Sequence, residues 1–209
     1  MSQQNTNPLV EFTTELVDFA RGERRGIRNP FVMVPVEPSV EHRVTERSVQ
    51  WADPETPDTL TNWAGIENQA GNELTVECVR LDHLMPETRV FETTLDLGPL
   101  ERTTTNAVTE TLETSLADEL IGKLVEGQLK GENAQQHILL LVNLGSLYPF
   151  TRASELLDEM DRRNVNTTIG IPFPGSIRGG KLSFFNEDAR HYYPAHRIDE
   201  KITEVYLDD

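Results

Sequence analysis

The stretch Ile138-Leu-Leu-Leu-Val-Asn-Leu144 is a near-continuous apolar run of strand length, and it constrains the fold more than any other feature. A strand with one solvated face alternates apolar and polar residues, whereas a strand covered on both faces, as in a parallel sheet, does not. A glycine-containing turn follows. Thr151 to Arg163 then reads as a helix with Leu156, Leu157 and Met160 facing inward, and Thr167 to Phe173 as the next strand. That succession is a β-α-β unit. Upstream, Leu9, Phe12, Leu16 and Phe19 mark a helix over Pro8 to Arg21, and Phe31 to Val36 reads as a strand whose Pro35 points to a strand end or sheet edge. Pro38-Ser39 opens a helix running to about Gln50. Glu73 to Leu81 alternates well enough for a strand with Leu74, Val76 and Cys78 on one face. The stripe from Val108 through Leu112, Leu116, Leu120 and Leu124 predicts a long helix over Ala107 to Lys130. Asp82 to Thr105 gives mixed signals, and no element is assigned there. With a further strand near Lys181 to Phe185 and another near Arg197 to Ile202, the expected fold is α/β: a three-layer, Rossmann-like, mostly parallel sheet flanked by helices.

The organisation expected is a 1–28 N-terminal helix with a basic turn, a 29–200 domain with a variable insertion at about 51–72, and an acidic 201–209 tail. Proline, threonine, asparagine and acids dominate the insertion. No apolar run approaches the roughly 20 residues of a membrane helix, and the start lacks a signal-peptide pattern, so a soluble cytoplasmic protein with no membrane contact is expected. The 35 acidic residues against 19 basic ones give a formal net charge of -16. Such a surface repels nucleic-acid phosphates, which argues against direct nucleic-acid contact except where salt screens the charge. Only four residues are lysines, Lys123, Lys130, Lys181 and Lys201, so arginine supplies most of the cations. This balance matches adaptation to a cytoplasm of molar salt, where carboxylate repulsion is screened within roughly 3 Å.

Chemistry is hard to place. Gly175-Ser-Ile-Arg-Gly-Gly180-Lys181 has the spacing of a phosphate-binding P-loop, but that loop needs a following helix and a Ser or Thr after the lysine. Leu182 and a strand stand there instead, so a hairpin or bulged loop is expected. Ser146, in Leu144-Gly-Ser-Leu-Tyr-Pro-Phe150, has the look of a nucleophile at a strand-to-helix turn. The second glycine is missing, and His137, the one nearby base, lies at the far end of the same strand. His191 and His196 have no cysteine or second histidine pair to complete a zinc set. Cys78, the sole cysteine, reads as a small buried side chain. The acidic pairs Asp158-Glu159 and Glu187-Asp188 read as solvated faces. No catalytic residue, metal or cofactor is indicated.

Leu139-Leu-Leu-Val-Asn-Leu-Gly-Ser-Leu-Tyr-Pro-Phe150, Arg152, Ser154-Glu-Leu-Leu157, Phe173-Pro-Gly175, Gly179, Leu182, Phe184-Phe185 and Tyr192-Tyr193 together resemble the C-terminal signature of the BrxB family, a component of the BREX phage-exclusion system. Asn29 to Pro38 is similar to that family's opening strand. Pro194 and His196 stand where the family usually has an arginine and an aromatic, and Arg178 replaces a customary acid. The resemblance implies a non-catalytic subunit of a multi-protein antiviral defence system, partnered by the phosphatase-like PglZ protein and by other BREX proteins. The residues singled out for partner binding are Gly145, Ser146, Tyr148, Phe150, Arg152, Gly175, Tyr192, Tyr193 and Arg197. The alternative is a degenerate P-loop-like nucleotide- or nucleic-acid-binding protein of the same system, with a crevice around Gly145, Ser146 and Gly175.

Overall fold

The computed structural model describes residues 7–24, 29–53, 74–96, 102–127, 129, 136–178, 181–185 and 195–207. Helix α1 (Pro8–Ala20) starts where Asn7 accepts the Leu9 N–H on its side chain and Pro8 supplies a first-turn residue that needs no donor. Strand β1 (Phe31–Val36) follows, buried at every position, and a short 3-10 turn (Pro38–Val40) feeds α2 (Glu41–Ala52). Next come β2 (Thr75–Arg80), the single turn α3 (Leu81–Leu84), α4 (Arg89–Asp96) and the long α5 (Arg102–Glu126). Strand β3 (His137–Val142), α6 (Ala153–Arg162), β4 (Thr168–Arg178), β5 (Lys181–Phe184) and the two-residue β6 (His196–Arg197) complete the order.

The sheet runs β2-β3-β4-β1-β6, all parallel, while β5 turns back antiparallel on the far half of β4. The connection from β1 to β2 crosses the sheet in one direction and those through β3 to β4 return in the other. Because such crossovers keep one hand, the two sets of helices fall on opposite faces. Parity along the strands confirms it. Val32, Val34, Ile138, Leu140 and Val142 pack with α1 and α2, whereas Phe31, Met33, Leu139, Leu141, Ile169 and Ile171 pack with α5 and α6. The result is the expected three-layer α/β fold. At Gly170 on β4 a Cβ would lie 2.8 Å from a Leu140 methyl and 2.9 Å from a Leu16 methyl, so the missing side chain lets α1 settle directly on the sheet.

Several sequence expectations change. Pro35 marks the end of β1, one residue before its last, and not a sheet edge, because β1 lies between β4 and β6. Its neighbours Val34 and Val36 share the parity that faces β4, and the Pro35 carbonyl accepts from Ile202 on the other side, where β6 has run out after Arg197. The missing donor therefore falls where no regular ladder would have used it. Asp82 to Thr105 contains α3, α4 and the first turn of α5, and α5 begins before the predicted Ala107. The glycine-rich P-loop look-alike is indeed a hairpin, with Arg178 opposite Lys181. Trp51 and Ala52 still belong to α2, Asp53 caps it, and the rest of the expected insertion, 54–72, lies outside the described residues. Ile202 and Leu207, within the stretch read as an acidic tail, are buried against β1 and α2. Among the described residues, no helix is long and apolar enough to cross a membrane.

Candidate functional site at the carboxyl end of the sheet

In an open parallel sheet, ligands gather beyond the carboxyl ends of strands whose connections leave toward opposite faces. Here those strands are β1 and β3, with β4 between them. The exit of β3 turns sharply. Asn143 takes a left-handed conformation (φ 60°), and a 3-10 turn over Leu144–Leu147 buries both leucines while leaving Ser146 exposed. The Ser146 hydroxyl donates to the Asn143 carbonyl at 2.7 Å. His137 is indeed at the opposite end of β3.

The Gly145 N–H donates to Glu41 Oε1 at 2.7 Å, joining the exit of β3 to the start of α2. A Cβ on Gly145 would overlap the Glu41 carboxylate and come within 3.1 Å of the Phe185 ring. Glycine is required here for close approach, since the carboxylate and the ring already fill the space a side chain would need. Burial pushes the Glu41 carboxyl above its ordinary range; the Gly145 amide offsets part of that rise, and the charge of Asp82 adds to it. At Asp82, burial again pushes upward, but bonds from Arg80 and Asn143 outweigh it and hold the carboxyl below the usual range. Arg80 Nη2 lies 2.7 Å from Asp82 Oδ2. Neighbouring carboxyls moved in opposite directions are the arrangement from which acid–base pairs are built. Both, however, are committed to groups of the protein itself, Glu41 to a backbone amide and Asp82 to a guanidinium.

The hairpin closes the same end. Tyr148 stacks on Phe184 at 5.8 Å between centroids and meets Phe185 edge-on at 5.1 Å, while the two phenylalanines are perpendicular at 4.9 Å. Gly175 opposes Phe184 in the ladder, and a Cβ there would collide with the Ser183 carbonyl, so its role is close strand approach. Phe150 is half-buried, and Arg152 precedes α6, its N–H donating to Glu155 Oε2 at 2.9 Å. The residues singled out from sequence thus divide. Gly145, Ser146, Tyr148, Phe150, Arg152 and Gly175 gather around the carboxyl end of β3 and the hairpin. Arg197 does not join them: it pairs with Met33 on β6, three strands across from β3, or about 14 Å. Tyr192 and Tyr193 lie outside the described residues.

Glu41, Asp82 and Asn143 were not anticipated. Nothing in the order of residues signals that Glu41 meets a glycine 104 positions later. Asp82 follows Arg80 closely enough to suggest an ion pair, but its bond to Asn143 needs the sheet. Among the described residues no group of three or more His, Cys, Asp or Glu could hold a metal ion. Cys78 is half-buried on β2, and burial pushes its thiol up to about 12, away from the thiolate form.

No curated protein and no solved structure matches the chain. The family model described as BREX protein BrxB matches residues 73–198, more than half of the chain. That span contains the β3 exit, the hairpin and the aromatic cluster, while Asn29 to Pro38 lies before it. The chain therefore belongs to the BrxB family and is a component of the BREX phage-defence system.

Proposed function

We propose that the protein is a non-catalytic adaptor subunit of a BREX antiviral complex and that its partner is the phosphatase-like PglZ subunit. One observation carries the reading: the crevice where an α/β sheet normally holds a ligand is occupied by the protein's own Glu41 carboxylate and Phe185 ring, packed against Gly145. A bound anion would have to displace a carboxylate from the very amide that should receive it. What this end presents outward is a turn with an exposed Ser146 and half-buried Tyr148, Phe150 and Arg152, residue types that anchor protein interfaces. The nucleotide alternative places its ligand at Gly145, Ser146 and Gly175, and two of these are glycines needed for internal packing.

Co-expression with PglZ in high salt tests the reading. Wild-type protein is expected to retain PglZ through purification. Ser146→Arg is expected to lose it while keeping the wild-type melting temperature. Retention of PglZ by this variant would remove the surface from the interface. Calorimetric binding of magnesium-ATP at micromolar affinity, abolished by Gly145→Trp, would replace the adaptor reading with the nucleotide one.

A further inference from the structure

Strand β2 ends the sheet on the side away from the C terminus. Thr75 donates its N–H to Gln136 and the ladder continues from Thr75 opposite His137 to Arg80 opposite Val142. In a parallel pair alternate residues turn both main-chain groups to the same neighbour, so Thr75, Glu77 and Val79 serve β3. Val76 and Cys78 turn their N–H and C=O outward, and no strand among the described residues receives them. Edge strands are commonly blunted by lysine, proline or a bulge. Thr-Val-Glu-Cys-Val-Arg contains neither residue, its only charges are Glu77 and Arg80, and its register with β3 is unbroken.

A groove of about 390 Å³ runs beside this edge, lined by Val49, Ala52 and Asp53 of α2 and its end and by Val76 to Val79 of β2. Val49 is 42% exposed, one of two large apolar side chains so exposed among the described residues. Glu77 turns to the opposite face of β2 from Val76 and Cys78, where its half-buried side chain lies 3.5 Å from His137 Nε2. An open edge supplies main-chain hydrogen bonds, and an adjacent apolar recess accepts alternate side chains of a strand laid against it.

We propose that β2 is a docking edge for an extended segment of a partner protein, which adds as a further strand, seats an apolar side chain against Val49 on one face and carries Lys or Arg toward Glu77 on the other. A second copy of the chain fits the same edge less well, because it would bring two Glu77 edges together on molecules of net charge -16. This surface is lateral to the β3 exit, so the inference stands independently of the PglZ reading.

The test uses the full chain and a labelled peptide that alternates valine with lysine, followed by anisotropy at two salt concentrations. Binding should persist at the higher salt and slow hydrogen exchange at the Val76 and Cys78 amides. Val76→Pro deletes one outward donor without touching the β3 ladder, and about tenfold weaker binding is expected. Val49→Lys should weaken it comparably on an unchanged fold, and it decides the matter if Val76→Pro does not fold. Ser146→Arg should leave peptide binding intact. Failure of the peptide to bind, or equal affinity for wild type, Val76→Pro and Val49→Lys, would overturn the proposal and leave only charge adhesion. A concentration-dependent dimer of the free chain, abolished by Val76→Pro, would overturn it in favour of a second copy.

Discussion

The two edges of the sheet are finished in opposite ways. Beyond β1, the chain from His196 to Leu207 is laid along the edge: Ile198 donates to the Met33 carbonyl, Ile202 to Pro35, and Glu37 returns a bond to Ile202. Ile198, Ile202 and Leu207 are buried, and Arg43 Nη2 donates to the Leu207 carbonyl at 3.0 Å. Beyond β2 no such strap exists among the described residues, and its main-chain groups face outward. One edge is held by burial and the other is left open among the described residues. A sheet with two open edges risks indiscriminate pairing, whereas closing one edge confines strand addition to the other.

The contrast predicts a graded set of effects. Ile202→Ala removes a fully buried side chain under the strap and should cost about 2–5 kcal/mol in denaturant unfolding, with faster exchange at the Glu37 amide. Arg43→Ala leaves the Leu207 carbonyl without its donor and should cost about 1 kcal/mol, read as a lower melting temperature. A cost below that of the following substitution would break the comparison. Val49→Lys, on the open edge, should stay within about 0.5 kcal/mol of wild type. The smallest effect sharpens the point where the strapped edge meets the β3 exit. Since burial raises the Glu41 carboxyl above its ordinary value, the folded state holds its proton more tightly than the unfolded chain. Stability from this group is therefore greatest below that value and falls as pH rises through the raised one. Glu41→Gln should flatten that part of a melting-temperature profile while preserving the bond to Gly145. An unchanged profile would remove Glu41 as its source.

How much of this was legible in the sequence follows from how local each cause is. Strands β1 and β3 declared themselves because burial on both faces leaves no polar residue to interrupt the run. The hairpin was readable because Gly179-Gly180 sits between two strand-like segments and Leu182 stands where a magnesium-binding hydroxyl would be needed. The region from Asp82 to Thr105 was opaque for a physical reason. Its threonines weaken helix propensity, yet Thr93 and Thr94 satisfy their hydroxyls on carbonyls of their own helix, and Val90 is fixed by its N–H to Glu119 of α5. Tertiary contact decides there. The same holds for Glu41, Asp82 and Asn143, brought together only after four strands, β2, β3, β4 and β1, are in register. Arg197 shows the converse: adjacency to Tyr192 and Tyr193 in sequence suggested one surface with the β3 exit, but the strand order sets it across the sheet.

The position of β1 has a consequence during synthesis. It leaves the ribosome well before its ladder partners β4 and β6, Phe31 waiting for Ile169 and Val32 for His196. At roughly 5–20 residues per second, Phe-Val-Met-Val-Pro-Val spends on the order of ten seconds without a mate. A six-residue β-prone segment left bare is an aggregation hazard, and Pro35, which interrupts cross-β stacking, lies within it. The residue that looked like a flaw in the finished strand is thus a safeguard for the nascent one.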